Sequence, residues 1–476
     1  MGVDLRPGTR ERSSIERTPV ERTKRGKAAR KVAPRSSHAH WGPAGDRSDP
    51  VDILEEQAKS RTPELVPIRY GRMLTSPFAF YRGAAAIMAS DLRDTPTSGI
   101  RVQVCGDAHL SNFGIFASPE RATLFDINDF DETLPAPWEW DVKRLAASIA
   151  VAGRGNGFTP KQRDAATLAA VTSYRTSMEA FAGMRNLDVW YASARAQVGL
   201  PRVREALSEK NVKTAESIVT KAGMRDSMQA FEKLTTVVDG QRRIASDPPL
   251  IVPIEELTSP EDADRVTERL RDLMLRYGAT LSTDRRHLLE SFHLVHVAHK
   301  VVGVGSVGTQ AWILLCLGRD DEDPLFLQAK EAQASVLAPY VGESEYENQG
   351  RRVVEGQRLM QAASDIFLGW DRFTDGSGVA RDFYLRQLRD RKGAWAPETM
   401  DPEVMTTVGR LCAWTLARAH ARSGDRMAIA AYLGTGGVFD RAVAEFAETY
   451  ADQNEKDHAA LQRAADEGRI EVHTGL

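Results

Sequence analysis

The residue types best suited to chemistry fall between Val104 and Asp131, in the stretch VCGDAHLSNFGIFASPERATLFDINDFD. The strand-like run RVQVC delivers Gly106-Asp107-Ala108-His109-Leu110-Ser111-Asn112, placing a carboxylate and an amide five residues apart on one tight loop. A second apolar run, ATLF, ends on Asp126, and Asp129 and Asp131 follow in the next turn. Asp, Asn and Asp at two strand ends match the needs of magnesium-dependent phosphotransfer. One Asp orients or deprotonates an acceptor hydroxyl, while an Asn and a further Asp hold the metal that bridges the phosphates. Asp107, Asn112 and Asp126 are therefore the expected catalytic set, with Asp107 as the acceptor-orienting base. Asn112, Asp126 and Asp129 are the candidate metal ligands, Asp126 being favoured because it closes the apolar strand. Oxygen donors of this kind suit Mg2+, or Mn2+.

Two other chemistries fail on the same residues. A two-metal phosphoesterase needs further histidine ligands, and no Gly-Asn-His context supplies them. A calcium loop read as DINDFDET lacks the glycine at its sixth position and has Pro137 at its twelfth, which cannot ligate through a side chain.

A second constellation lies about 200 residues downstream, where Lys300-Val301-Val302 leads into Gly303-Val304-Gly305-Ser306-Val307-Gly308-Thr309. The runs AWILLCLG and LFLQAKEA follow, separated by the charged turn RDDEDP. Strand, glycine loop, strand, turn, strand is the expected order. A G-x-G-x-x-G motif on its own is weak, since dinucleotide-binding folds use it too. Those folds begin a helix inside the motif, with the pyrophosphate at its amino end; here the residues after Thr309 are strand-like instead. Lys330 stands 22 residues beyond Gly308, on the third run. In kinase-like small lobes a glycine loop covers the phosphates and a strand lysine holds them, so Gly303, Gly305, Ser306, Gly308 and Lys330 are expected to bind ATP. Glu355, on the helix candidate YENQGRRVVEGQRLMQAASD, is the expected partner of Lys330, with Glu343, Glu345 and Glu347 as competitors.

Gly106-Asp107-x-His109-x-x-Asn112 resembles the catalytic loop of aminoglycoside-phosphotransferase-like kinases. In those enzymes a metal-binding Asp follows on the next strand, as Asp126 does here, and a hydrophobic-Asp pair opens a later helix, as Trp140-Asp141 does. The histidine that precedes Gly-Asp in many relatives is replaced by Cys105. From about Thr75 to the last helices the chain also resembles the uncharacterised bacterial domain-of-unknown-function 2252 family, through SPFAFYRG, GDAHLSNFG, NDFDE, PWEWDVKRLA, KVVGVGSVGT, VVEGQRLMQ and LARAHARSGD. The kinase resemblance implies a two-lobed α+β fold in an unusual order. The catalytic loop and metal Asp come first, whereas the glycine loop, Lys330 and TLARAHARSGD come later, as in a circular permutation with new termini at the surface. Asp141 is then expected to cap backbone amides and brace the catalytic loop. His109 and His420 are expected to be structural. Arg82, on the helix opened by Ser76-Pro77, is set aside as an ordinary ion-pair partner.

The elements that must position these residues follow from composition and pattern. A chain of 476 residues, 42% hydrophobic and 27% charged, is long enough for two or three domains. Residues 1–36 hold eleven Lys or Arg against four Asp or Glu, so a basic, disordered tail is expected over 1–50. Residues 51–299 are read as the part of the large lobe carrying the catalytic loop, and 300–395 as a small antiparallel lobe of five strands. Within the latter, RDRKGAW is the hinge. Residues 396–476 are helices that return to the large lobe. A net charge of −3 argues against a dedicated nucleic-acid binder, leaving at most a weak contact by the basic tail. Three scattered cysteines and no long apolar run point to a reducing cytoplasm and no membrane partner. The expected activity is ATP- and Mg2+-dependent phosphorylation of a hydroxyl on a small molecule or protein. The alternatives are a catalytically inactive nucleotide-binding module and a nucleotidyl transferase using the same site.

Overall fold

The computed structural model describes residues 17–195, 207–223, 227–257, 259–301, 303–305, 307–374, 379–388 and 391–475. It is a mixed α/β structure, 53% helix and 17% strand, in which small sheets accompany a helical body. The helical body is built around α1 (Trp138–Gly155), α2 (Pro160–Gly183), α3 (Pro402–Ser423) and α4 (Val438–Asp466). Proline at the first helical position, with Thr159 and Asp401 as side-chain caps, starts α2 and α3. Small residues such as Ala413, Ala417, Ala419 and Ala421 keep α3 buried along most of its length. Gly409 meets Ile149 of α1 so closely that a Cβ there would lie 3.1 Å from its Cδ1.

Where the sequence predicts a disordered basic tail, the structure forms a helix over Pro19–Val32, opened by a capping box between Thr18 and Glu21. Residues 1–16 lie outside the described residues. Its cations are docking groups: Arg22 pairs with Asp425 at 2.7 Å, and Arg30 donates to the Tyr432 carbonyl at 2.9 Å. Gly26 packs against the Ala428 carbonyl, with no room for a side chain. The helix binds through polar contacts to a helix end, so it lacks the apolar periodicity that would have revealed it.

The largest sheet is antiparallel and has six strands, ordered Gly369–Thr374, Ala380–Gln387, Pro324–Ala332, Ala311–Leu317, His293–Lys300, Ile251–Pro253. It exceeds the expected five because Ile251–Pro253 joins it, and the strand expected at Lys300–Val302 runs instead over His293–Lys300. The alternation of AWILLCL explains its continuous apolar character. Leu314 and Cys316 face Leu270, Leu273 and Tyr277, while Ile313, Leu315 and Leu317 face Ala230, Phe231 and Leu234. With helices on both faces, every residue of the strand needs an apolar side chain. The last two strands are those expected from IFLGWDRF and ARDFYLRQL; residues 375–378 of the turn between them lie outside the described residues.

Two smaller pairings set up the chemistry. Arg101–Val104 pairs with Leu134–Pro137, and Phe113–Ala117 pairs with Thr123–Ile127. Closing both pairs forces the loop 105–112 and the turn 128–133 to lie side by side, and the Asn128 amide donates to the Asn112 carbonyl at 2.9 Å. Gly393, in the expected hinge, exchanges backbone hydrogen bonds with Ile115 of this hairpin.

The body holds several ionisable groups at a cost, Lys143 among them. Lys143 of α1 is buried with its Nζ 4.9 Å from the Phe446 ring centroid and without a hydrogen-bond partner. Burial pushes its pKa down from 10.5 to about 7, against the opposing pull of Glu139 one turn earlier. Between pH 7 and 10.5 the unfolded chain keeps a proton that the folded chain releases, so stability rises with pH across that window. Lys143→Met is expected to flatten that rise and to stabilise the protein near pH 6 by on the order of 1–4 kcal/mol. Thermal melts of both proteins from pH 6 to 10 check this, and an unchanged pH slope would refute it.

Candidate functional site

The loop after Val104 is held from below. Asp141, in the first turn of α1, accepts the backbone amides of Cys105 at 2.9 Å and Gly106 at 3.0 Å. His420 of α3, itself bonded to Tyr174, meets Asp141 at 3.2 Å. Both play the bracing parts the sequence predicts. Gly106 has φ +81°, and a Cβ there would lie 2.4 Å from the Glu132 carbonyl, so the close approach of the two loops requires glycine. Cys105, Cys316 and Cys412 are all buried and free.

On this base Asp107 accepts a hydrogen bond from Arg144 Nε at 2.5 Å and lies 3.6 Å from His109 Nε2. Asn112 clamps the two loops together: its Nδ2 donates to the carbonyls of Asp107 at 2.9 Å and Asp129 at 3.1 Å, and its Oδ1 accepts the Asp129 amide at 2.7 Å. Lys330 projects from the large sheet into a buried ion pair with Asp131, which Tyr384 Oη also approaches at 2.8 Å. Asp129 lies 3.5 Å from the same lysine. Burial raises the Asp129 pKa, and the neighbouring Asp131 charge adds to the rise. Burial opposes ionisation of Asp131 too, but Lys330 and the Tyr384 hydroxyl hold its pKa below the ordinary range. Burial would lower Lys330, yet the two carboxylates outweigh it and raise its pKa. Glu132 beside them is pushed up to about 7 by burial.

These groups open onto a cavity of about 340 Å³, lined by Asp107, Asn112 and Asp129 on one side and by Gly303, Val304 and Gly305 on another. The glycine loop sits between two strands, and no helix begins among its described residues, so it does not take the dinucleotide-binding form. Its shape is imposed by the helices before residue 85. Arg72 donates to the Gly303 carbonyl at 2.6 Å, Arg61 to the Val307 carbonyl at 2.5 Å, and the Thr62 amide to the Gly308 carbonyl at 2.8 Å.

Residues 61–464 match the family described as an uncharacterized protein conserved in bacteria, DUF2252. The chain belongs to that family. No curated protein and no solved structure matches it. Among the described residues, no helix of this DUF2252 member is long and apolar enough to cross a membrane.

Three expected placements are corrected. Asp126 is 1% exposed, and Arg418 of α3 grips both its oxygens at 2.6 and 2.8 Å. The amides of Ile127 and Ala362 take up the same oxygens, so in this structure Asp126 is held as an anchor between the strand and α3. Glu355 pairs with Arg358 at 3.4 Å and not with Lys330. The inward position on its helix, Gln349–Met360, belongs to Arg352, which donates to the carbonyls of Asp131, Thr133 and Gln333. Gly308, with φ +89°, lines a neighbouring groove beside Arg61 rather than the cavity. Ser306 lies outside the described residues.

In the sequence Arg82 is weighed as able to reach a phosphate and set aside, and neither Arg61 nor Arg69 is singled out. Arg61, Arg69 and Arg82 all line the cavity. Arg82 had a signal, since it falls in SPFAFYRG; Arg69 had none, because an arginine on an amphipathic helix looks like any other.

Proposed function

We propose that this DUF2252 protein is an ATP- and magnesium-dependent phosphotransferase on a kinase-like, circularly permuted fold. One observation carries the reading. Gly303 and Gly305 line the same cavity as Asp107, Asn112 and Asp129, and Lys330, also about 200 residues downstream of Asp107, pairs with Asp131 and lies 3.5 Å from Asp129, both in that lining. A nucleotide whose phosphates lie under a glycine loop and near a strand lysine needs this convergence. The permutation is supported by α3, whose TLARAHARSGD end packs beside the loop some 300 residues earlier. His420 reaches Asp141, and Ser423 Oγ donates to the Gln103 carbonyl at 3.4 Å.

Asp129 and the Asn112 amide oxygen are the groups that would hold the metal. The Asp129 carboxylate and the Asn112 amide oxygen are hard donors of the kind Mg2+ takes, and among the described residues no cluster of three or more carboxylate, histidine or cysteine side chains adds to them. When bound, Mg2+ supplies charge neutralisation between the β- and γ-phosphates. Lys330, freed in part from Asp131, positions the phosphates. Asp107, fixed by Arg144, accepts the acceptor's hydroxyl proton as its oxygen forms a bond to the γ-phosphorus. The bond from that phosphorus to the bridging oxygen breaks, and ADP leaves with the electron pair.

ATP and Mg2+ together are expected to raise the melting temperature, whereas either alone does so much less. At a hundredfold excess over the dissociation constant the linked stabilisation is about 2.7 kcal/mol. A folded protein with no joint shift at saturation would defeat the proposal. Products formed from ATP labelled separately at its α- and γ-phosphates distinguish the reactions. Transfer of the γ-label marks a kinase, transfer of the α-label a nucleotidyl transferase, and neither an inactive binding module.

A further inference from the structure

We propose that Arg69, with Arg61 and Arg82, forms a phosphate-binding subsite in this cavity, filled by a phosphate group that the acceptor substrate already carries. Arg69 is 1% exposed and lines the cavity. Its Nη2 donates to Gln57 Oε1 at 3.0 Å and to the Gly83 carbonyl at 3.2 Å, which leaves Nε and Nη1 buried without a partner. The Nε atoms of Arg61 and Arg82 are buried and unpartnered as well. Among the described residues, no carboxylate lies within ion-pair distance of any of the three. Asp107, Asp129, Asp131, Glu132 and Glu331 line the same cavity, but with no carboxylate paired directly to these guanidinium groups, their unpartnered donors are a cost to the folded chain that a bound anion would offset. The guanidinium edges of Arg61 and Arg82 suit a phosphate oxygen pair better than any neutral ligand, and the free Nε and Nη1 of Arg69 add single charged donors.

Arg61 also holds the glycine loop through the Val307 carbonyl, so the assignment to the acceptor rather than the nucleotide rests on the neighbourhood of Asp107. Lys330 and the glycine loop already provide the contacts that nucleotide phosphates require. Arg82 acts electrostatically on His109, which stands against Asp107, the group assigned to the acceptor hydroxyl. The buried Ser111 hydroxyl, also without a partner, lines the same part of the cavity. The cluster rests on geometry alone; its assignment to the acceptor rests on the phosphotransferase reading.

The test is calorimetric titration of the full chain with inorganic phosphate, at matched ionic strength, with and without saturating Mg2+ and a non-hydrolysable ATP analogue. Phosphate is expected to bind in both conditions. Arg69→Gln is expected to weaken phosphate by at least about tenfold, the loss of a charge-assisted hydrogen bond, while analogue affinity stays within about twofold. Where Arg69→Gln does not fold, Arg82→Gln serves, because Arg82 is half-buried and makes no hydrogen bond to another described residue. Absence of phosphate binding, or binding unaffected by these variants, overturns the subsite. Mutual exclusion of phosphate and analogue overturns its assignment to the acceptor and hands the arginines to the nucleotide. Arginine-dependent phosphate binding with no analogue binding keeps the subsite and sinks the phosphotransferase reading.

Discussion

Asp107→Asn is expected to lower transfer of the γ-phosphoryl group of ATP by about 10²- to 10⁴-fold, the usual contribution of a positioned general base. Asparagine is the informative replacement. Its amide oxygen can still accept the Arg144 Nε hydrogen bond that holds the side chain at 2.5 Å, so the hydrogen bond is kept while the basic oxygen is lost, and the uncompensated Arg144 charge is read separately as a drop in melting temperature. Removing the side chain altogether would strand a buried guanidinium, Arg144 being 3% exposed, and the result would mix folding with chemistry. Affinity for ATP with Mg2+ is expected to stay within about twofold, since the phosphates are assigned to Lys330 and the glycine loop. A loss confined to the turnover number marks an interaction made in the transition state. The measurement is label transferred from γ-labelled ATP to water or to an added hydroxyl acceptor. A variant that keeps the wild-type rate removes Asp107 from the mechanism.

What the sequence showed and what it hid divide along a physical line. The Asp107 and Asn112 loop, the Asp141 brace, the strands around the glycine motif and the placement of Lys330 are all local. The elements that carry them are set by apolar period, turn chemistry or a cap within a few residues, and the bracing role of Asp141, 36 residues from Cys105, came from the family resemblance. Asp126 and Asp129 could not be separated in that way. The strand runs on to Ile127, and Asp126, opposite Gly114 in the hairpin, is claimed by Arg418, a residue 292 positions later. Asp129, two residues beyond the strand, is left at the cavity. Glu355 failed for a related reason. A helix has one inward stripe, and its phase is fixed by packing: Gly356 lies so close to Thr133 that a Cβ would fall 2.4 Å from its Cγ2. That contact turns Arg352 inward. The basic amino-terminal helix was hidden because its partners, the Asp425 carboxylate and the Tyr432 carbonyl, lie some 400 residues away, and Arg69 because an amide oxygen and a backbone carbonyl hold it, which no charge pattern reports.

Arg418→Met is expected to destabilise the protein by about 3–5 kcal/mol, the cost of leaving one partner of a buried ion pair without the other. Arg418 is fully buried and Asp126 is 1% exposed, so neither charge can turn to water. Asp126→Asn should also destabilise, because it leaves the guanidinium uncompensated. The double variant, which removes both charges, should recover part of the loss, and the size of that recovery measures the coupling. Chemical denaturation of the four proteins gives the numbers. The cycle also decides what Asp126 is for. A structural anchor predicts large stability changes that Mg2+ does not alter. A metal ligand predicts the reverse, a folded Asp126→Asn protein of near-normal stability that no longer gains from Mg2+ and ATP together. The grip of Arg418 on both carboxylate oxygens, with two backbone amides on the same pair, requires the first outcome. A small stability change with loss of the Mg2+ response would return Asp126 to the metal site.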